Sequence, residues 1–279
     1  MPHNGRMDKE ARWLLDEKYG GVKNDAFAED LKRLAAGEPL AYVIGFQPFL
    51  GLRIHLDNHP LIPRPETEWW TERLLQELAG REILEPLRRP SGRAGGNSPA
   101  GEYSVFQNFP AREFAFLDLC AGSGAIGCAA LSRLPHARVY FGELDPSYEE
   151  TVRKNIRENG LDEARAEIRI GDLFAPFKGM RFDVIAANPP YVPYGRALDR
   201  SVEDYEPALA LRAGPDGLDL IRGIAHGIRA HLAESGIAWI ECDSAHAEAA
   251  QALLAAAGLR VQIRTDPYGA PRVLVVSFR

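Results

Sequence analysis

Two hydrophobic rhythms run along the chain. From residue 113 onward, short apolar runs alternate with stretches of helical period. The strand-like runs fall at 114–119, 138–143, 166–170, 182–187, 237–241, 260–264 and 272–278. Helical spacing occupies most of the gaps, at 125–133, 147–159, 217–233 and 245–256. This alternation predicts an α/β, doubly wound, mostly parallel sheet of seven strands. The first 87 residues follow another pattern. Ala11, Leu14 and Leu15 share one face of a predicted helix over 8–19, and a second helix over 26–36 stops at Gly37. Tyr42, Val43, Ile44, Phe46, Phe49 and Ile54, broken by Pro48 and Gly51, predict a hairpin over 42–56. A further helix over 67–79 carries Glu66, Glu68 and Glu72 near its start, where the helix dipole favours acids. Between the two patterns, 88–111 is rich in Gly, Pro and Ser and predicts a flexible linker. The expected organisation is a small N-terminal helical domain with a connecting hairpin (1–87), a linker (88–111) and the sheet domain (112–279).

Composition narrows the function. The chain has 279 residues, 46 % hydrophobic and 26 % charged, which is globular rather than disordered. Net charge is −6: residues 1–80 hold 10 Lys and Arg against 13 Asp and Glu, and residues 113–279 hold 18 against 23. That balance argues against a protein that binds by neutralising many phosphates. Cys120, Cys128 and Cys242 show no zinc spacing, and the seven histidines are scattered, so no metal site is expected. The N-terminus is charged, and no stretch of 18 apolar residues occurs. The expectation is a cytoplasmic protein without a membrane anchor.

Candidate chemistry gathers at the ends of the apolar runs. The first run leads into Asp118-Leu-Cys120-Ala121-Gly122-Ser123-Gly124-Ala-Ile-Gly127. Glycines there let a backbone approach a ligand, and the next helix offers free N–H groups. The spacing alone also fits a dinucleotide-binding enzyme. Asp118 suits a ligand with a positive charge. Glu143 ends the second run and suits a ribose diol, with Asp145 as the competing candidate or a helix cap. Asp172 follows the third run and reads either as a turn or as a partner for an adenine amino group, with Leu173 and Phe174 beside the ring. After the fourth run comes Asn188-Pro189-Pro190-Tyr191. Two prolines end the strand. The Asn188 oxygen and the Pro189 carbonyl can both accept from one NH₂ group, and such preorganised dipoles are worth on the order of 3–4 kcal/mol each in a dry site. Tyr191 offers a flat face to a planar group.

In this order, the motifs resemble the class I S-adenosylmethionine-dependent methyltransferases that modify planar nitrogens. More narrowly, the chain is similar to the release factor glutamine methyltransferase family over nearly its whole length. Gly37–Gly45, Phe49-Leu-Gly51, Ile62-Pro-Arg64-Pro-Glu66-Thr67-Glu68, Tyr205-Glu206-Pro207, Gly214–Leu218 and Asp266–Arg272 carry the resemblance beside the motifs above. It implies a Rossmann-like fold and S-adenosyl-L-methionine as cofactor, held by Asp118, Cys120, Ala121, Gly122, Ser123, Gly124, Glu143, Asp172, Leu173 and Asn188. It implies that Asn188, Pro189, Pro190 and Tyr191 bind and orient the glutamine amide of the Gly-Gly-Gln loop in peptide chain release factors, which receives the methyl group on N5. The Arg64–Glu68 run favours that substrate over a ribosomal protein. Cys120 replaces a common glycine and Glu143 a common aspartate. Glu241-Cys242-Asp243 departs from the family's Glu-Ile-Gly and is expected beside the reacting site rather than in it. A monomer without direct nucleic-acid binding is expected. Rival readings are a DNA adenine or RNA guanine methyltransferase, which the 88 residues after Tyr191 leave no room to equip with a base-recognition domain. A nicotinamide oxidoreductase leaves Asn188–Tyr191 unexplained, and a non-catalytic cofactor-binding scaffold predicts a damaged site.

Overall fold

A computed structural model describes residues 3–82 and 114–278; the 88–111 stretch expected to be a linker lies outside them. The N-terminal part starts with α1 (His3–Tyr19), α2 (Asp25–Ala35) and the short α3 (Leu40–Ile44). Asn24 caps α2 by accepting from the Phe27 N–H, so that helix begins where a free donor is satisfied. Leu14, Phe27, Leu34 and Val43 close a small core among the three helices. Tyr42, Val43 and Ile44 are therefore helical, not the first strand of the hairpin. Their β-branched and aromatic character suggests a strand, but Pro39 opens a helical turn and Gly45, at φ +98°, ends it.

The hairpin proper is β1 (Phe46–Phe49) and β2 (Leu52–His55), joined by Leu50 and Gly51, both with positive φ. α4 (Pro65–Glu82) follows; it begins two residues earlier than its sequence pattern suggests, with Pro65 in the first turn.

The second part is a seven-stranded sheet. Its strands are β3 (Phe114–Leu119), β4 (Ala137–Glu143), β5 (Ala166–Ile170), β6 (Phe182–Ala187), β7 (Leu232–Glu241), β8 (Arg260–Thr265) and β9 (Pro271–Ser277). Their spatial order is β5-β4-β3-β6-β7-β9-β8, parallel except for β9, which runs antiparallel between β7 and β8. α5 (Ala125–Arg133), α6 (Glu149–Glu158), α7 (Arg200–Glu203), α8 (Ala208–Leu211), α9 (Asp219–His231) and α10 (Ala247–Ala256) connect them. β7 begins at Leu232, where the helical pattern was expected to continue. One face of the sheet buries Phe116, Val139, Phe141 and Val184 under α5, α6 and the α4 residues Trp70 and Leu74. The other buries Leu117, Ile185 and Ile240 under Ile221, Ile224 and Ile228 of α9 and Leu254 of α10.

Strand order reverses between β3 and β6. In such a sheet the crevice lies at the carboxyl ends of those two strands. Leu119 pairs with Ala187 there, which places Asp118 and Asn188 on neighbouring strand ends. Among the described residues, no helix is long and apolar enough to cross a membrane.

Candidate active site

The three glycines after β3 do different jobs. Gly122 has φ +53°, and a Cβ there would meet nothing within 4 Å. The backbone is bare on its open side. Gly124 packs at a distance where a Cβ would touch Val152 at 3.0 Å, and on Gly127 a Cβ would strike the Phe141 ring at 2.2 Å. Those two let α5 lie close on β4 and α6, while Gly122 leaves room for a ligand. Cys120 adopts φ +62°, and the Ala121 N–H donates to Gly142 O at 3.0 Å, tying the loop to β4. Ser123 O accepts from the Asn155 amide at 2.8 Å.

Two acids support the loop. Asp118 is fully buried beneath it: Oδ2 accepts from the Gly127 N–H at 2.8 Å, and Oδ1 is buried with no partner among the described residues. Burial pushes its carboxyl well above the usual range; the Gly127 bond opposes this and Glu143 adds to it. Glu143 accepts from Gly122 N at 2.7 Å, Leu144 N at 2.8 Å and Asp145 N at 2.9 Å. Burial raises its pKa despite those bonds. Asp145 caps the next turn through the Ser147 N–H at 2.9 Å, the helix-cap alternative. Asp172 is exposed and Leu173, at φ +44°, half-buried beside it. Phe174 is buried in the core and stacks on His231 at 4.6 Å, lying against Gly227 of α9.

The fourth strand end is built differently. Asn188 Nδ2 donates to Thr67 Oγ1 at 3.1 Å, and its Oδ1 is buried without a partner among the described residues. Pro189 is buried and Pro190 half-buried. Tyr191 donates its hydroxyl to Glu241 Oε1 at 3.3 Å. Glu241, at the end of β7, has no exposure at all, and its Oε2 accepts from Thr67 Oγ1 and Trp70 Nε1, each at 2.7 Å. Burial raises its pKa, with those donors and Arg272 opposing. Glu241 is thus in contact with the Asn-Pro-Pro-Tyr segment rather than set beside it, which corrects the sequence expectation. Thr67 was likewise missed as a site residue, although it was visible in the Pro-Glu-Thr-Glu run.

Comparison with known proteins accords with this geometry. The family model for the methyltransferase small domain matches residues 100–203. The release factor glutamine methyltransferase of Moorella thermoacetica is 32 % identical over 246 residues, covering 88 % of this chain and 76 % of that protein. Its counterpart in Burkholderia pseudomallei is 35 % identical over 241 residues, covering 84 % and 74 %. The chain belongs to the release factor glutamine methyltransferase family. The solved catalytic domain of hMettl16, in complex with MAT2A 3′UTR hairpin 1, aligns over 100 % of this chain and 96 % of its own at a TM-score of 0.55 and 14 % identity, which shows the shared fold alone.

As a member of the release factor glutamine methyltransferase family, the protein uses S-adenosyl-L-methionine, and its residues fit that group. The open side of Gly122 leaves backbone exposed to a ligand. The Glu143 carboxylate stands at a strand end beside it, and Asp118 keeps below it one oxygen without a partner among the described residues.

Proposed function

We propose that this chain methylates N5 of the glutamine side chain in the Gly-Gly-Gln loop of peptide chain release factors. The observation that carries the reading is the buried Oδ1 of Asn188 at the end of β6, without a partner among the described residues. A buried acceptor without a partner costs about 1–3 kcal/mol, so it is kept where something supplies the donor. A primary amide has that donor. S-adenosyl-L-methionine, when bound, would supply an electrophilic methyl group whose bond to sulfur breaks and leaves its electron pair on the neutral thioether, and the amide nitrogen that takes the methyl would lose a proton to solvent.

The chain's own residues hold the amide in place. Asn188 Oδ1 and the Pro189 carbonyl accept its two N–H bonds and favour the charge that grows on nitrogen as the new bond forms. Pro189 and Pro190 fix the backbone that carries that carbonyl. Tyr191, held by Glu241, gives the planar group a flat neighbour. At the other end, Glu143 would hold the ribose hydroxyls, Asp172 and Leu173 the adenine, and Asp118 the cationic methionine end, with Cys120–Gly124 supplying the backbone of the loop. Proximity and alignment do the rest. The N-terminal part, 1–87, holds the protein substrate, and the enzyme acts as a cytoplasmic monomer without direct contact to nucleic acid.

The test is mass spectrometry of a release factor incubated with S-adenosyl-L-methionine and this protein. One added methyl on the Gly-Gly-Gln peptide, absent with Asn188→Ala, is the expected outcome. No gain despite intact cofactor binding in calorimetry would sink the substrate assignment, and ribosomal proteins and nucleic acids would then be tried as acceptors.

A further inference from the structure

We infer that Glu241 and Thr67 are positioning residues that set which end of the Asn188 amide meets the substrate. The inference rests on the proposed reading of Asn188 as the acceptor for the reacting amide. An amide side chain carries an acceptor and a donor of nearly equal size, and packing alone does not choose between its two orientations. Here hydrogen-bond direction chooses.

Trp70 Nε1 can only donate. It lies 2.7 Å from Glu241 Oε2, so that oxygen is an acceptor. Thr67 Oγ1 lies 2.7 Å from the same oxygen and must give it the hydroxyl proton. The lone pairs that remain on Thr67 then face Asn188, 3.1 Å away, and call for an N–H. With Nδ2 committed to Thr67, Oδ1 is the end left over, buried and without a partner among the described residues. Turned over, the amide would set its oxygen against an oxygen whose proton is already given away. Glu241 therefore orients Asn188 without touching it. Its other oxygen takes the Tyr191 hydroxyl at 3.3 Å, so one buried carboxylate governs two groups of the Asn-Pro-Pro-Tyr segment.

Selectivity between an amide and a carboxylate reads the relay directly. The experiment uses the full-length enzyme, a release factor as substrate, and the same factor with Glu in place of the Gly-Gly-Gln glutamine as competitor. The wild type should favour the amide. Thr67→Val removes the acceptor for Nδ2 and frees the amide to turn, so the preference should fall by roughly 10-fold or more, as expected when a buried polar group loses its assigned partner. Cofactor affinity by calorimetry should not change. Thr67→Ser should restore the preference. Glu241→Gln should also keep it, because Trp70 still demands an oxygen at that position, whereas Glu241→Ala should behave like Thr67→Val. Unchanged selectivity in Thr67→Val, or equal loss in Thr67→Val and Thr67→Ser, would overturn the relay.

A second readout needs no substrate. In ¹⁵N spectra, the Asn188 NH₂ should show slow exchange in wild type and Thr67→Ser, and fast exchange in Thr67→Val. Equal exchange in all three overturns the inference. Slow exchange lost only in Thr67→Val, in an enzyme that leaves release factors unmethylated, supports the relay and overturns only the substrate reading.

Discussion

At the scale of single residues, the glycine loop is held as much by what is missing as by what is present. Gly127 has no room for a methyl group, because a Cβ would meet the Phe141 ring at 2.2 Å. Gly127→Ala should cost roughly 1–3 kcal/mol in chemical denaturation, the usual range for overpacking a core. Glu143 is the opposite case. Its carboxylate gathers three backbone N–H groups, one from the loop and two from the turn after β4. Glu143→Ala should weaken cofactor binding by about 10-fold or more in calorimetry, since it removes a charge-assisted acceptor and loosens Gly122 together. The sequence could single out Asp118, Glu143 and Asn188 as candidates because each stands at or next to the end of an apolar run, and strand ends are where an open α/β sheet exposes chemistry. Thr67 and Glu241 could not be read as partners. They stand 174 positions apart, and their pairing depends on how α4 lies across the sheet. Nor could the packing of Phe174 be read: the missing side chain of Gly227, 53 positions on, makes room for its ring in the core.

At the scale of elements, the hairpin is fastened by two asparagines one helical turn apart. Asn155 accepts from His55 N at 2.6 Å and donates to His55 O at 3.0 Å and Ser123 O at 2.8 Å. Asn159 does the same for Arg53, at 2.9 Å in both directions. Residues 53 and 55 share one edge of β2. Two steps along a strand nearly match one turn of α6, so the helix imitates a neighbouring strand with side chains. Asn155 also links the hairpin to the glycine loop, and this makes the N-terminal part a support of that loop. Asn155→Ala should destabilise by about 3 kcal/mol because it strands buried backbone groups, whereas Asn159→Ala, open to water, should cost under about 1 kcal/mol; denaturant midpoints would separate them. Six of the seven strands of the sheet were legible to within a residue at each end, the central ones because buried parallel strands read as unbroken apolar runs; β7 begins five residues earlier than its apolar run, at Leu232. The hairpin was less so: its turn is Leu50-Gly51 rather than an Asn-Gly pair, and the Leu50 N–H is held instead by Glu68 Oε1 at 2.7 Å.

At the scale of the whole molecule, polar clamps join parts far apart in sequence. Arg64 reaches Glu206 at 2.5 Å, and Glu206, buried, also accepts from the Ile62 N–H at 3.3 Å. Tyr205 donates to Ala36 O at 3.1 Å, so the loop after β6 touches both the connector and the helical part. The small helical core has its own pH signature. Burial alone would raise the Asp30 carboxyl, but hydrogen bonds from Lys18, Tyr19 and Arg33 outweigh it and hold the group below 3.8. A depressed carboxyl contributes stability that is complete above its unfolded value and lost as pH falls through the folded one. Thermal melting should therefore show wild type losing its advantage over Asp30→Asn as pH drops below about 3.8, with the gap constant from there to neutrality. The sealed edge of β2 has a meaning beyond stability. A strand edge with unsatisfied amides and carbonyls is a template on which a second molecule can lay down a strand. Asn155 and Asn159 occupy those groups in advance, so the hairpin is closed to other chains for as long as α6 stays in place.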